Sequence, residues 1–125
     1  MTDLATPDID TIVERYLAAW NEPDKARRRA LIAEAWTPDA RYVDPMQASQ
    51  GWEGIDGMIA AVQQRFPGFT FRPAGPRDGH NGHIRFGWEL FPPGADAAVV
   101  AGTDVATLSD GRLHTVIGFL DRVPG

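Results

Sequence analysis

From Phe69 onward the hydrophobic period of this chain changes to two, and that change limits the fold more than any other feature. Before it, apolar residues recur at three- and four-residue steps: Ile9, Ile12, Val13, Tyr16, Leu17 and Trp20, then Leu31, Ile32, Ala35 and Trp36, then Ile55, Ile59, Val62 and Phe66. Such spacing lines up one stripe of a helix. After it, apolar and polar residues alternate, which gives a strand one apolar face. Helices first and strands afterwards predict an α+β domain, with the helices covering one side of a curved antiparallel sheet.

Local signals mark the boundaries. The first helix starts near Thr6-Pro7 and stops at Asn21-Glu22-Pro23, because proline lacks a donor and disfavours helical geometry in the residue before it. Asp24 can cap the second helix, which runs through Trp36 to the break at Thr37-Pro38. A short strand, Ala40 to Asp44, puts Ala40, Tyr42 and Asp44 on one face and ends at Pro45. A polar loop follows, then the third helix, weakened at its start by Gly54 and Gly57 and ended by Pro67-Gly68. Phe69 and Phe71 share a strand face. Ile84, Phe86, Trp88 and Leu90 alternate with polar or small residues before Pro92-Pro93-Gly94. The run Val99 to Leu108, the tight turn Ser109-Asp110-Gly111 and a last strand with Leu113, Thr115, Ile117 and Phe119 on one face complete an antiparallel meander.

Length and charge narrow the function. At 125 residues the chain fits a single domain, taken as 1–125. A net charge of −5 argues against a nucleic-acid partner, and Arg27-Arg28-Arg29 reads as a short solvated face. There is no cysteine, hence no disulfide framework and no thiolate chemistry. No export signal or membrane-length apolar run is visible, so a cytoplasmic address is expected.

The most unusual residue is Asp104. Val100, Gly102, Ala106 and Leu108 share its strand face, and an ionised carboxylate there must be paired, keep its proton or line a cavity, unless that face is open to solvent at a sheet edge. Tyr16, on the stripe of the first helix, and Asp44, ending the first strand, point toward the same core by their own periodicity. Taken alone, Tyr16 reads as a core tyrosine and Asp44 as a turn residue. Taken together, the three side chains form a candidate proton-transfer site. Trp20, Tyr42, Phe86, Trp88 and Phe119 are candidate pocket walls for a flat, apolar or aromatic ligand carrying a carbonyl.

From about Ile9 to Phe119 the chain resembles the ketosteroid isomerase and SnoaL-like polyketide cyclase branches of the nuclear transport factor 2-like superfamily. Tyr16 in Glu14-Arg15-Tyr16-Leu17 matches the isomerases' helix-one tyrosine, Asp44-Pro45 their base, and Asp104, before Asp110-Gly111-Arg112, their second acid. His80-Asn81-Gly82 looks like a family turn. Trp20-Asn21 and Gly102-Thr103-Asp104-Val105-Ala106 are more similar to the SnoaL-like group. The resemblance implies a cone-shaped, mostly antiparallel sheet with three helices on its concave side, no cofactor, and a homodimer paired through the outer sheet face, where Thr103, Val105 and Thr107 lie. In isomerase-like chemistry Asp44 would move a proton beside a carbonyl, while Tyr16 and protonated Asp104 would hydrogen-bond the dienolate oxygen. In cyclase-like chemistry Asp104 alone would be acid and base, and Tyr16 and Asp44 would be incidental. Limonene-type epoxide hydrolases pair arginine with aspartate two residues later, and no Arg-x-Asp occurs here.

A non-catalytic carrier or partner-binding module of the same fold is the competing expectation. No metal site is expected, since His80 and His83 do not share a face and lack a third ligand. Met46 and Trp52, in the loop before helix three, are candidates for a lid or a subunit contact.

Overall fold

The first helix, α1 (Ile9–Asn21), opens with Asp8, whose carboxylate accepts from the Asp10 amide at 3.1 Å and the Thr11 hydroxyl at 3.0 Å. That side chain meets orphan donors of the first turn. The computed structural model describes residues 8–124, so Thr6-Pro7 lies outside the described residues. α2 (Lys25–Ala35) is capped by Asp24, which accepts from the Arg27 amide at 3.0 Å. Then follow β1 (Trp36–Asp44), β2 (Gln47–Gln50), α3 (Gly51–Arg65), β3 (Thr70–His80), β4 (His83–Phe91), β5 (Val100–Ser109) and β6 (Arg112–Arg122).

The six strands form one curved, unclosed sheet in the order β2-β1-β6-β5-β4-β3. Among the described residues only the β1–β6 pairing is parallel. β3 lies at an edge, where Pro73 and Pro76 cost no interior ladder bond. The three helices pack on one face, and Ile32, Trp36, Ile59, Phe86 and Leu113 are among the side chains that fill the space between.

Three expectations are corrected. Trp36 is the first residue of β1, fully buried, and not the end of α2; the register shift between Trp36 and Arg41 accommodates Pro38 within the strand. The polar loop after Asp44 is a strand, β2, paired antiparallel with β1. Its alternation is hidden in the sequence because three of its four residues, Gln47, Ser49 and Gln50, are polar. Trp52 belongs to the first turn of α3, where its indole N–H donates to the Trp36 carbonyl at 3.0 Å, so it ties α3 to β1.

The fourth correction concerns β6. Thr107 pairs with Thr115 but Leu108 pairs with Leu113, so β6 carries one extra residue at this point, a β-bulge at His114; a second register shift lies between Ala101 and Gly102, at Asp121. Leu113 faces the core, and past the bulge Val116 and Gly118 face it instead. Thr115, Ile117 and Phe119 therefore turn to the outer face, contrary to simple alternation.

A second group of side chains fixes the helices. Arg28, expected on a solvated face, is 4% exposed. Its Nε donates to Asp56 on α3 at 2.6 Å, and its Nη1 to the carbonyls of Glu22 and Pro23 and to Gln63 Oε1. Gln63 Nε2 donates to the carbonyls of Trp20 and Glu22. Carbonyls left over at the end of α1 are thus satisfied by α2 and α3. Asn21 exchanges two hydrogen bonds with the backbone of Phe71, at 2.9 and 2.8 Å, and pins the same end to β3.

Because Asp56→Ala leaves Arg28 buried and unpaired, it is expected to destabilise the protein by about 3–5 kcal/mol. Urea denaturation checks this, with the midpoint falling and the slope unchanged.

Candidate functional site

Asp104 sits in the middle of β5, opposite Phe86 of β4 and Gly118 of β6, and is 1% exposed. A carboxyl in such a place needs donors, and two reach it. The Tyr16 hydroxyl donates to Oδ2 at 2.7 Å and the Trp88 indole N–H donates to Oδ1 at 3.0 Å. Burial pushes the Asp104 carboxyl up to about 6; the bonds from Tyr16 and Trp88 work against this rise, and the charges of Asp44 and Asp121 add to it. Burial, then the Asp104 charge, raise the Tyr16 phenol well above its ordinary value, so it keeps its proton and donates.

Asp44 is held differently. It ends β1, and its Oδ1 accepts from the amides of Met46 and Gln47 at 2.8 and 3.1 Å, the pattern of an Asx-turn. Its Oδ2 accepts from the Tyr42 hydroxyl at 2.5 Å and from Gln47 Nε2 at 3.3 Å. Burial, the Asp104 charge and the bond to Asp44 raise the Tyr42 phenol, which stays a donor. Four donors fill the four lone-pair sites of the Asp44 carboxylate, whereas Asp104 keeps two of its own. Among the described residues neither carboxylate has a cationic partner.

Both carboxyls border a cavity of about 210 Å³ at the open end of the sheet, between it and the helices. Tyr16, Trp20, Tyr42 and Trp88 line it as well. The other two expected wall residues are placed differently from these. Phe86 is absent from the lining and packs edge-on against Tyr16, with ring centroids 5.3 Å apart, so it supports the phenol from behind. Phe119 borders the cavity but its register with Thr103 turns it outward, and it is 53% exposed. Gly118 takes the inward position, and a Cβ there would lie 3.0 Å from Asp104 Oδ1 and 3.3 Å from Asp44 Cβ. The bare backbone lets the two acids share one wall.

Sequence reasoning missed Gln47, Leu17, Val62, Arg65 and Phe71 as lining residues. Leu17, Val62 and Phe71 were legible as apolar-face positions, but nothing in the sequence distinguishes a cavity wall from a packed core. Met46, 66% exposed in the β1–β2 turn, lies at the rim. Among the described residues, no group of three or more His, Asp or Glu side chains is arranged to hold a metal ion, and no helix is long and apolar enough to cross a membrane.

The raised carboxyl carries a stability consequence. Unfolded, Asp104 ionises near 3.8; folded, near 6, so between these values the folded state holds the extra proton and stability falls as pH rises. The loss levels off above about pH 6 at roughly 3 kcal/mol. Asp104→Asn is expected to remove this slope, gaining on the wild type from pH 4 to pH 7, as read by denaturant midpoints across that range.

Comparison with known proteins agrees with this architecture. A SnoaL-like domain profile matches residues 13–115. A crystal structure of a candidate isomerase of the SnoaL-like family from Agrobacterium tumefaciens is 50% identical, over 89% of this chain and 95% of that one, with a TM-score of 0.84. A candidate SnoaL-like polyketide cyclase from Jannaschia is 22% identical over 97% and 92% of the two chains (TM-score 0.69), and a candidate ketosteroid isomerase from Kribbella flavida 16% identical over 92% and 78% (TM-score 0.67). These last two share the fold. A search of curated proteins finds no match. With the profile covering most of the chain and half the residues shared with the Agrobacterium protein, the chain belongs to the SnoaL-like family of the nuclear transport factor 2-like fold.

Proposed function

We propose that the protein binds a small apolar carbonyl compound in this cavity and that Asp104 moves a proton on it, by isomerisation or aldol-type cyclisation. The observation that carries the reading is the buried Asp104 carboxyl on the cavity wall, with two donors and two free lone-pair sites; burial pushes it up to about 6. A base poised there is ionised at pH 7 and still a useful acid once protonated. Ionised Asp104 removes a proton beside the carbonyl to give an enolate. It then returns the proton at another carbon, or, after the enolate carbon attacks a second carbonyl, protonates the new alkoxide.

Asp44 and Tyr16 take supporting roles. The lone pairs of Asp44 are occupied, so it acts as a fixed negative charge near Asp104 and not as the moving base. Tyr16 directs its proton at Asp104 and orients it. With both phenol protons committed to carboxylates, the enolate oxygen depends largely on the substrate for stabilisation, which favours a 1,3-dicarbonyl compound. Trp20, Tyr42 and Trp88 supply flat walls for it. The Agrobacterium relative's name as a candidate isomerase is consistent with the same chemistry.

Deuterium exchange at the α-carbon of a panel of 1,3-dicarbonyl and aryl ketone compounds, followed by NMR, tests this without knowledge of the product. Exchange is expected to rise with pH around 6 and level off above it. Asp104→Asn is expected to slow it by about 10²–10⁴-fold, and Asp44→Asn by far less. The reverse order would return the base to Asp44. Saturable thermal stabilisation by these compounds with no exchange would favour a carrier.

We also propose that two copies pair through the outer sheet face. Val43, Ile117 and Phe119 are exposed there on adjacent strands, beside Val105. Val105→Lys is expected to halve the mass seen by light scattering, and an unchanged mass would exclude this face.

A further inference from the structure

We propose that Gly102 is a positioning residue of the site: its bare Cα lets the Trp88 indole lie across β5, and this is what aims the indole N–H at Asp104. Trp88 and Gly102 are directly opposed partners on β4 and β5, and Asp104 is the next residue of β5 on the same face. Two residues along a neighbouring strand is within reach of a large aromatic side chain such as an indole. Any Cβ at position 102 would stand inside the indole, overlapping Cζ2 and lying 2.6 Å from Cε2, the carbon bonded to Nε1. A side chain there displaces the atoms that carry the donor.

The far face of the arrangement is closed as well. The Phe71 ring meets Trp88 edge-on, with centroids 5.4 Å apart at 70°, so the indole has a wall on one side and glycine backbone beneath it. The same ring that lines the cavity thereby holds Asp104 Oδ1 in place. Sequence alternation marks Trp88 as a wall and Gly102 as a weak point in a strand. Their pairing turns both into one device.

The groups that act on Asp104 are Tyr16 from α1, Tyr42 and Asp44 from β1, Trp88 from β4 and, from the outer face where it accepts from the Thr103 hydroxyl, the charge of Asp121 on β6. Of these, Tyr16 and Trp88 stabilise the carboxylate, while Asp44 and Asp121 oppose it. Losing the Trp88 donor must therefore raise the Asp104 midpoint.

The importance of this device rests on Asp104 being the working carboxyl, but its test uses no substrate, so its failure and a failure of proton exchange are separate results. The carboxyl of Asp104 is titrated by NMR in protein labelled with ¹³C at Asp Cγ, its signal assigned with Asp104→Asn. The wild-type midpoint is expected near 6. Trp88→Phe is expected to raise it by about one pH unit or more, and Gly102→Ala by a similar amount, with no further rise in the double variant. Gly102→Ala also brings its Cβ to 2.8 Å from the Phe119 carbonyl, a cost present in both backgrounds. Should that variant fail to fold, the cycle is read from denaturant midpoints, using the Trp88→Phe background with and without Gly102→Ala. The alanine is expected to be better tolerated without the indole. An unchanged Asp104 midpoint in Trp88→Phe, or an alanine equally disruptive with and without the indole, overturns the proposal.

Discussion

One buried carboxyl organises this protein. Asp104 lies at the centre of the sheet, 1% exposed, and its burial is offset by a phenol from α1 and an indole from β4 that point at its two oxygens. Those bonds tie α1 to β5 and fix a β4 side chain on the same face. Their opposition to burial also leaves the carboxyl near neutrality, so the feature that is costly for folding is the one suited to proton transfer. The neighbouring Asp44 shows the other outcome. It lies at a strand end with backbone amides within reach, collects four donors and has no lone-pair site left.

Three local departures from regular structure create the site. The bulge at His114 shifts the alternation of β6, so Gly118 and not Phe119 faces the acids. Gly118 leaves the wall thin between them, and Gly102 leaves room for the Trp88 ring. Each is a single missing side chain or a single extra residue. The packing around them is otherwise ordinary, with Phe86 behind Tyr16 and an Arg28–Asp56–Gln63 network holding the helix ends over the sheet. That network ties the end of α1 to α2 and α3. Arg28 was unrecognisable as its centre, because three consecutive arginines look alike until a tertiary partner buries one of them.

Much of the fold was legible because periodicity is a local property. The stripe from Ile9 to Trp20 and the alternation from Ile84 to Leu90 follow from helix and strand geometry, and the stop signals Pro23, Pro67 and Pro92 from backbone chemistry. The same parity identified Asp104 as a carboxyl on an apolar face, and helical spacing put Tyr16 on the stripe that reaches it. What local pattern did not carry was any feature that depends on a second strand. β2 exists only because β1 offers it hydrogen bonds, and the β6 bulge only because β5 runs beside it with one residue fewer. Cavity walls were illegible for a related reason: an apolar residue facing a void and one facing a neighbour have the same sequence signature. Periodicity and chemistry along the chain thus determined the α+β architecture and the acids and phenol brought together. Tertiary structure alone decided which acid keeps free lone pairs and which aromatic ring donates to it, because hydrogen bonds between elements distant in sequence depend on register and on the space a glycine leaves open.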